Sequence, residues 1–305
     1  RSIIQEVFCR GRFDEDEVQN TMFFPSTRAT VDMSIAKGGG VRDYMRSSDV
    51  LSEMTCLGKN VPGGYLGDPT CALDECVDEE DYGTIRSHYV YSKDAVGYAG
   101  LEYAFACTLM RYRLTAGREP RLKPIGLGEP LKVRVITKGP IDLYMALAGL
   151  QKWLASELER HPSFKLTGTP VTVDIVAERL GVLREGEKFL NGDYTAATNN
   201  IKSWLSRIYV EELCAHLELS EESASLLLAG MVGNVIEAPD GSGVYAQQNG
   251  QPMGFNNSFV GLCICNATIA KLAYCYSNGM IASGPGEVLL RDLPVLVNGD
   301  DLCIR

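Results

Sequence analysis

The stretch PVLVNGDDLCIR, at positions 294 to 305, constrains this chain most tightly. An apolar run through Val295, Leu296 and Val297 meets Asn298-Gly299, two adjacent aspartates follow, and Leu302-Cys303-Ile304 is apolar again. Two short apolar runs joined by a glycine-containing turn read as a β-hairpin. Its tip then carries Asp300 and Asp301 side by side. Carboxylates that close repel one another, and a bound divalent cation is the usual remedy.

A second acidic residue has the same setting. EKFLNGDY reads as a buried strand whose polar end presents Asp193. If the two strands are neighbours, Asp193 and Asp300 meet at one end of a sheet. Mg²⁺ prefers a few carboxylates completed by water and substrate phosphates. Two such ions activate an attacking hydroxyl and stabilise a leaving pyrophosphate in phosphoryl transfer. The three histidines, His88, His161 and His216, suggest no nucleophile triad.

Composition sets the class. With 305 residues, 45% hydrophobic and 22% charged, the chain is globular and long enough for one large domain or two interleaved ones. Ten cysteines lie scattered without a repeating frame, as expected of reduced, buried thiols. The net charge of −10 argues at first against a nucleic-acid partner. Its distribution matters more. Acid gathers in two runs, Asp14 to Glu17 and Asp74 to Asp81, whereas Arg111, Arg113, Arg118, Arg121, Lys123, Lys132, Arg134 and Lys138 face only Glu119 and Glu129. Arg134 interrupts the β-branched run VRVIT, where a charge needs a phosphate or carboxylate partner.

The remaining features read plainly. SFVGLCICNATIAKLAYCY has almost the length of a membrane span, but Asn266, Thr268 and Lys271 make it a core helix, so no transmembrane segment is expected. Cys263, Cys265 and Cys275 on it are core residues. Leu143, Leu147, Leu150, Leu154 and Leu158 predict an apolar helical stripe after Pro140. TVDIVAERL predicts a helix closing on Gly181, and NNIKSWLSRIYVEELCAHL another. NVIEAPDGSGVYAQ predicts a hairpin turned at Asp240-Gly241. Trp153 and Trp204 read as core. KGGGVRDY lacks the ending of a nucleotide-binding P-loop, and Cys56, Cys71, Cys76 and His88 lack the spacing of a zinc knuckle. Strand, helix, hairpin, helix and hairpin in that order predict an α+β fold with an antiparallel sheet.

Alone, GDD is also an ordinary turn. Four elements in order carry more: KVRVITKGP, GDYTAATNN, GQPMGFNNSFVGLCICN and NGDD. From about Leu127 to Asp301 they resemble, in this order, the basic segment and palm motifs A, B and C of viral RNA-dependent RNA polymerases, most closely those of ourmia-like and narna-like positive-strand RNA viruses. The resemblance implies a right-hand polymerase, with fingers and a palm of antiparallel sheet and helices. It implies an N-terminal extension or fingers at 1–125, fingers with the basic nucleotide-entry motif at 126–185, and a palm at 186–305 with a fingers insertion near 217–247. Both ends look cut, so a longer polypeptide with a thumb beyond Arg305 is expected.

The same resemblance implies RNA-templated RNA synthesis with Mg²⁺, or Mn²⁺, as cofactor. Asp193 and Asp300 would bind metal, Asp301 secondarily, with the backbone at Tyr194 close by. Lys132, Arg134 and Lys138 would neutralise nucleotide phosphates. Gly254 would let the motif B loop flex, and Ser258 and Asn266 would lie near the ribose or its hydrogen-bonding network. Asn199 stands where the family usually has a second motif A aspartate that helps select ribonucleotides; Asn still hydrogen-bonds a hydroxyl. The partners implied are template RNA, nascent RNA and nucleoside triphosphates, and no protein partner follows. Host cytoplasm is the expected location, with mitochondria the alternative among relatives. The competing readings are a catalytically silent RNA-binding remnant and a reverse transcriptase, whose aspartate turn is typically not GDD.

Overall fold

The structure, a computed structural model, is described for residues 1–9, 13, 30, 34–37, 119–280 and 288–305. The two acidic runs, KGGGVRDY beyond Lys37 and the Cys56–His88 cluster lie outside the described residues. In chain order come α1 (Ser2–Val7), β1 (Arg121–Glu129), β2 (Lys132–Lys138), α2 (Ile141–Ala146), α3 (Ala148–Arg160), α4 (Val173–Leu180), β3 (Leu190–Gly192), α5 (Ala197–Asn200), α6 (Ser203–Leu217), α7 (Glu221–Val232), β4 (Val235–Glu237), β5 (Val244–Ala246), α8 (Ser258–Ser277), β6 (Val295–Asn298) and β7 (Asp301–Ile304). The α+β class read from the sequence is borne out. The chain separates into two compact units, one of residues 1–13, 151–232 and 248–305, the other of residues 14–150 and 233–247.

The first unit is built on a three-stranded antiparallel sheet in the order β3-β7-β6. Val295, Leu296 and Val297 of β6 are buried, with α4 and α8 packed against the strand. Helix α8 is apolar on nearly every face; from Ser258 to Ala267 it is buried except at Phe259, whereas Ile269, Leu272 and Tyr276 further along are exposed. It also packs on α1, α6 and β7. By length and composition it could cross a membrane, yet 67% of that stretch is buried inside the protein. Cys263, Cys265 and Cys275 are core residues, as expected. Thr172 caps α4 through its Oγ1, which accepts from the Ile175 N–H, and Gly181 ends the helix at φ 73°.

In the second unit the described sheet runs β2-β1-β4-β5, with β1 and β4 parallel and the other pairs antiparallel. The β4–β5 hairpin forms as expected, its turn residue Gly241 at φ 73°. The outer end of the β1–β2 hairpin is open to solvent, with Val133 69% and Val135 58% exposed.

Four expectations need correction. The strand before Asp193 is short and exposed, with Leu190 65% accessible, because it lies at the edge of the sheet. The helix expected from Asn199 to Leu217 breaks at Ile201-Lys202 into α5 and α6. The leucine stripe is buried throughout but divided at Leu147 between α2 and α3. Trp204, expected in the core, is 62% exposed near the start of α6, whereas Trp153 packs on Phe8 and Phe13 with ring centroids 6.0 and 5.1 Å away.

Candidate catalytic site

The register of the first unit's sheet brings the acidic residues to one end. Strand β3 pairs with β7 through Leu190↔Ile304, Asn191↔Cys303 and Gly192↔Leu302. One step further along the same register, Asp193 falls opposite Asp301. Strands β6 and β7 close with Asn298↔Asp301, leaving Gly299 and Asp300 as the two turn residues. Gly299 has φ 67°, the conformation that the first position of a type II′ hairpin demands. The sequence supplies glycine there for that reason.

Asp193 and Asp301 are exposed and Asp300 is half-buried. Among the described residues, no Lys, Arg or His forms an ion pair with any of the three. Nor do three carboxylate, His or Cys side chains converge into a complete metal cage among those residues. Carboxylates at a solvent-facing sheet end, without a cationic partner among the described residues, nevertheless suit Mg²⁺, which takes its other ligands from water and phosphate. Tyr194, beside Asp193, is 38% exposed.

The Gly299 turn is gripped from α8. The Gly299 N–H donates to Cys263 Sγ at 3.2 Å. Asn266 Nδ2 donates to the carbonyl oxygens of Gly299, Asp300 and Asp301 at 3.0, 3.1 and 3.3 Å. Burial pushes the Cys263 thiol up to about 12; the Gly299 N–H opposes this and the Asp300 charge adds to it. The thiol is therefore protonated at neutral pH. Cys263 is a site residue that sequence reasoning missed, although its position three residues before Asn266 puts both on one helical face.

The motif B loop rests on the end of motif A. Gly250 N–H donates to Ile201 O at 2.6 Å and Gln251 N–H to Thr198 O at 2.8 Å. Ser203 Oγ donates to Gln248 O at 2.7 Å, and Gln251 Nε2 to Ser206 Oγ at 3.1 Å. Gly250 has φ 80°, and a Cβ there would meet Thr198 O at 3.0 Å and Asn199 O at 3.1 Å. Gly254 is exposed and lies outside the left-handed region. Ser258 is buried, its Oγ donating to Pro252 O at 2.8 Å, so its hydroxyl braces the loop from inside. Asn199 is exposed.

The basic residues belong to the second unit. Arg134 Nε lies 2.8 Å from Glu129 Oε1, and Lys132 Nζ 3.5 Å from Glu129 Oε2. Arg134 is therefore not a charge stranded on a buried strand. Its strand is solvent-exposed and its partner is a carboxylate of the same hairpin. Lys138 is half-buried, opposite Lys123 in the β1–β2 register.

No protein-family model matches the chain. The RNA-dependent RNA polymerase of Ourmia melon virus (isolate Melon/Iran/VE9) is 34% identical over 195 residues, covering 58% of this chain and 22% of that protein, so the chain spans less than a quarter of that relative's length. Among solved structures, an insertion-loop deletion mutant of the RNA-dependent RNA polymerase of a human picobirnavirus aligns at 13% identity and TM-score 0.45, covering 61% of this chain and 36% of that one. The Sicinivirus 3Dpol RNA-dependent RNA polymerase aligns at 15% identity and TM-score 0.41, covering 66% and 42%. Over its matched residues, and in keeping with the resemblance of its four motif segments, this chain is similar to the RNA-dependent RNA polymerase of Ourmia melon virus.

Proposed function

We propose that this chain is the catalytic region of a viral polymerase that copies RNA from an RNA template by nucleotidyl transfer. The observation that carries the reading is the sheet register, which sets Asp193 beside the Asp300–Asp301 turn. The identity to the ourmiavirus enzyme supports it. In the reaction the 3′-hydroxyl of nascent RNA attacks the α-phosphorus of a nucleoside triphosphate, and pyrophosphate leaves. Divalent cations, Mg²⁺ or Mn²⁺, would lower the charge barrier between hydroxyl and triphosphate and stabilise both reacting oxygens.

Asp193 and Asp300 are the residues to hold those cations, with Asp301 secondary and the Tyr194 backbone close by. Asn199 is exposed and free to hydrogen-bond a ribose hydroxyl. Gly254 is exposed in the motif B loop, and its role would be to let that loop flex as the RNA advances. Ser258 supports that loop from within, so its contribution is to loop shape. Lys132, Arg134 and Lys138 are proposed to bind phosphate, for which Arg134 must exchange Glu129 for the ligand.

The test is primer extension on an RNA template by the polymerase that carries this segment, with Mg²⁺ or Mn²⁺ supplied. Asp300→Ala is expected to abolish extension while RNA binding persists. Full activity in that variant would sink the assignment; RNA binding without extension by the unaltered protein would favour a silent remnant.

A further inference from the structure

We propose that Cys263 and Asn266 act together as a clamp that fixes the Asp300–Asp301 turn for cation binding, as positioning residues that never touch the cation. The proposal deepens the reading above and rests on its assignment of Asp300 as a cation ligand.

Two residues, Gly299 and Asp300, link antiparallel strands whose last paired residues are Asn298 and Asp301. Backbone groups in such a tip have no partners within the ladder, and adjacent carboxylates push the tip to open. Here the opening is resisted from one helix. Cys263 accepts the Gly299 N–H, and Asn266, three residues on and on the same face, donates to the carbonyl on the other side of that residue. One primary amide has two hydrogens, yet three carbonyl oxygens, at 3.0, 3.1 and 3.3 Å, surround its nitrogen. Three successive carbonyls come within reach of one nitrogen only when the backbone is curled around it. The contact therefore senses the curvature of the turn. Phe259, one turn earlier on α8, closes a further side, with its ring 3.2 Å from where a Gly299 Cβ would lie.

The cost of the arrangement points the same way. Asn266 is 3% exposed on an otherwise apolar stretch of helix, and its Oδ1 has no hydrogen-bond partner. A leucine would fill that place without burying a polar group. Rotating the amide would set Oδ1 against carbonyl oxygens, so the donor must face the turn. Because α8 is packed against α1, α6, β6 and β7 at once, the clamp ties the position of Asp300 to the rigid core.

The experiment is Mn²⁺ binding to the full chain, read from the loss of the free-ion electron paramagnetic resonance signal, alongside hydrogen exchange at the Gly299 amide. Asp300→Asn is expected to remove the strongest Mn²⁺ site. Asn266→Leu is expected to weaken binding by about 10- to 100-fold, the usual range for residues that orient metal ligands. Cys263→Ala is expected to weaken it and to speed Gly299 exchange, and Cys263→Ser, which restores an acceptor, to recover both. Should Asn266→Leu fail to fold, the Cys263→Ala and Cys263→Ser pair decides. Sensitivity to Asp300→Asn with Mn²⁺ affinity within about two-fold of wild type in Asn266→Leu or Cys263→Ala would overturn the clamp alone. If Asp300→Asn binds Mn²⁺ like wild type, the cation site itself falls and the proposal with it; slow Gly299 exchange would then show a clamp with a purely structural role.

Discussion

Glu6 lies on α1 with 3% of its side chain exposed, far in sequence from everything its carboxylate touches. Oε2 accepts the Leu290 N–H at 2.7 Å, and Oε1 accepts the Arg291 N–H at 2.8 Å and contacts His161 Nε2 at 3.2 Å and Arg291 Nε at 3.4 Å. Burial alone would raise its pKa, but the His161 hydrogen bond and the Arg291 and Leu290 N–H groups win and hold it at about 2 against an ordinary 4.5. At about 1.4 kcal/mol per pH unit, that drop corresponds to about 3 to 3.5 kcal/mol in favour of the folded state at neutral pH. Glu6→Gln puts an amide N–H against buried donors, and about 3 kcal/mol is also the low end for removing one partner of a buried pair.

The sign of the pH dependence follows from the lowered pKa. The folded carboxyl holds its proton less tightly than the unfolded one, so the stabilisation is complete above about pH 5. It is lost as pH falls through 4.5 towards 2. Urea unfolding followed by circular dichroism at pH 7 and pH 3 measures both quantities. Glu6→Gln is expected to lose about 3 kcal/mol at pH 7, and the gap to wild type to shrink to about 1.5 kcal/mol near pH 3. A loss below about 0.5 kcal/mol at pH 7, or a gap independent of pH, would refute the account of this carboxylate.

Three further substitutions probe other levels of the structure. Leu131, 106% exposed at φ 68° in the turn between β1 and β2, pays for a left-handed conformation without burying anything; Leu131→Gly should raise stability by about 0.5–1 kcal/mol in urea unfolding, and a loss would contradict the turn geometry. Gly250→Ala should cost about 1–3 kcal/mol, because the new methyl meets the Thr198 and Asn199 carbonyls and the φ of 80° becomes strained; unchanged urea midpoints would show that the loop does not sit on motif A. Asn199→Asp should change the preference for ribo- over deoxyribonucleotides in single-nucleotide incorporation, and an unchanged ratio would remove Asn199 from sugar selection.

What could be read from the sequence was local. The β6–β7 hairpin, the Gly181 cap, the β4–β5 hairpin and the apolar helix α8 each depend on neighbouring residues, through turn chemistry or periodicity. The failures are tertiary. Leu190 looked buried because its run is apolar, but β3 is an edge strand. Trp204 looked like core for the same reason, yet shares the solvent-facing side of α6 with Arg207 and Ile208. The pairing of Arg121 with Val235 joins distant segments and leaves no local trace. Glu6 did leave a signal, since it lies three residues after Ile3 on the apolar face of α1. Asn266 was singled out from its motif, but only the structure shows its amide nitrogen committed to the turn backbone.

The three motifs of the first unit are far apart in sequence, yet share one chain of contacts. Gly250 and Gln251 fasten the motif B loop to the backbone of Thr198 and Ile201, beside Asn199. The same loop leads into α8 through Ser258, whose hydroxyl holds Pro252. Further along α8, Cys263 and Asn266 hold the turn that carries Asp300. Displacing the loop therefore strains motif A directly, whereas it reaches the aspartate turn only by moving a helix packed on four other elements. That difference predicts unequal coupling: Gly250→Ala should perturb the sugar selection proposed for Asn199 more than the cation binding proposed for Asp300, and Cys263→Ala the reverse. Nearly additive effects in the double variant would fit two separate fastenings, because α8 is too tightly packed to pass a loop displacement on to the turn.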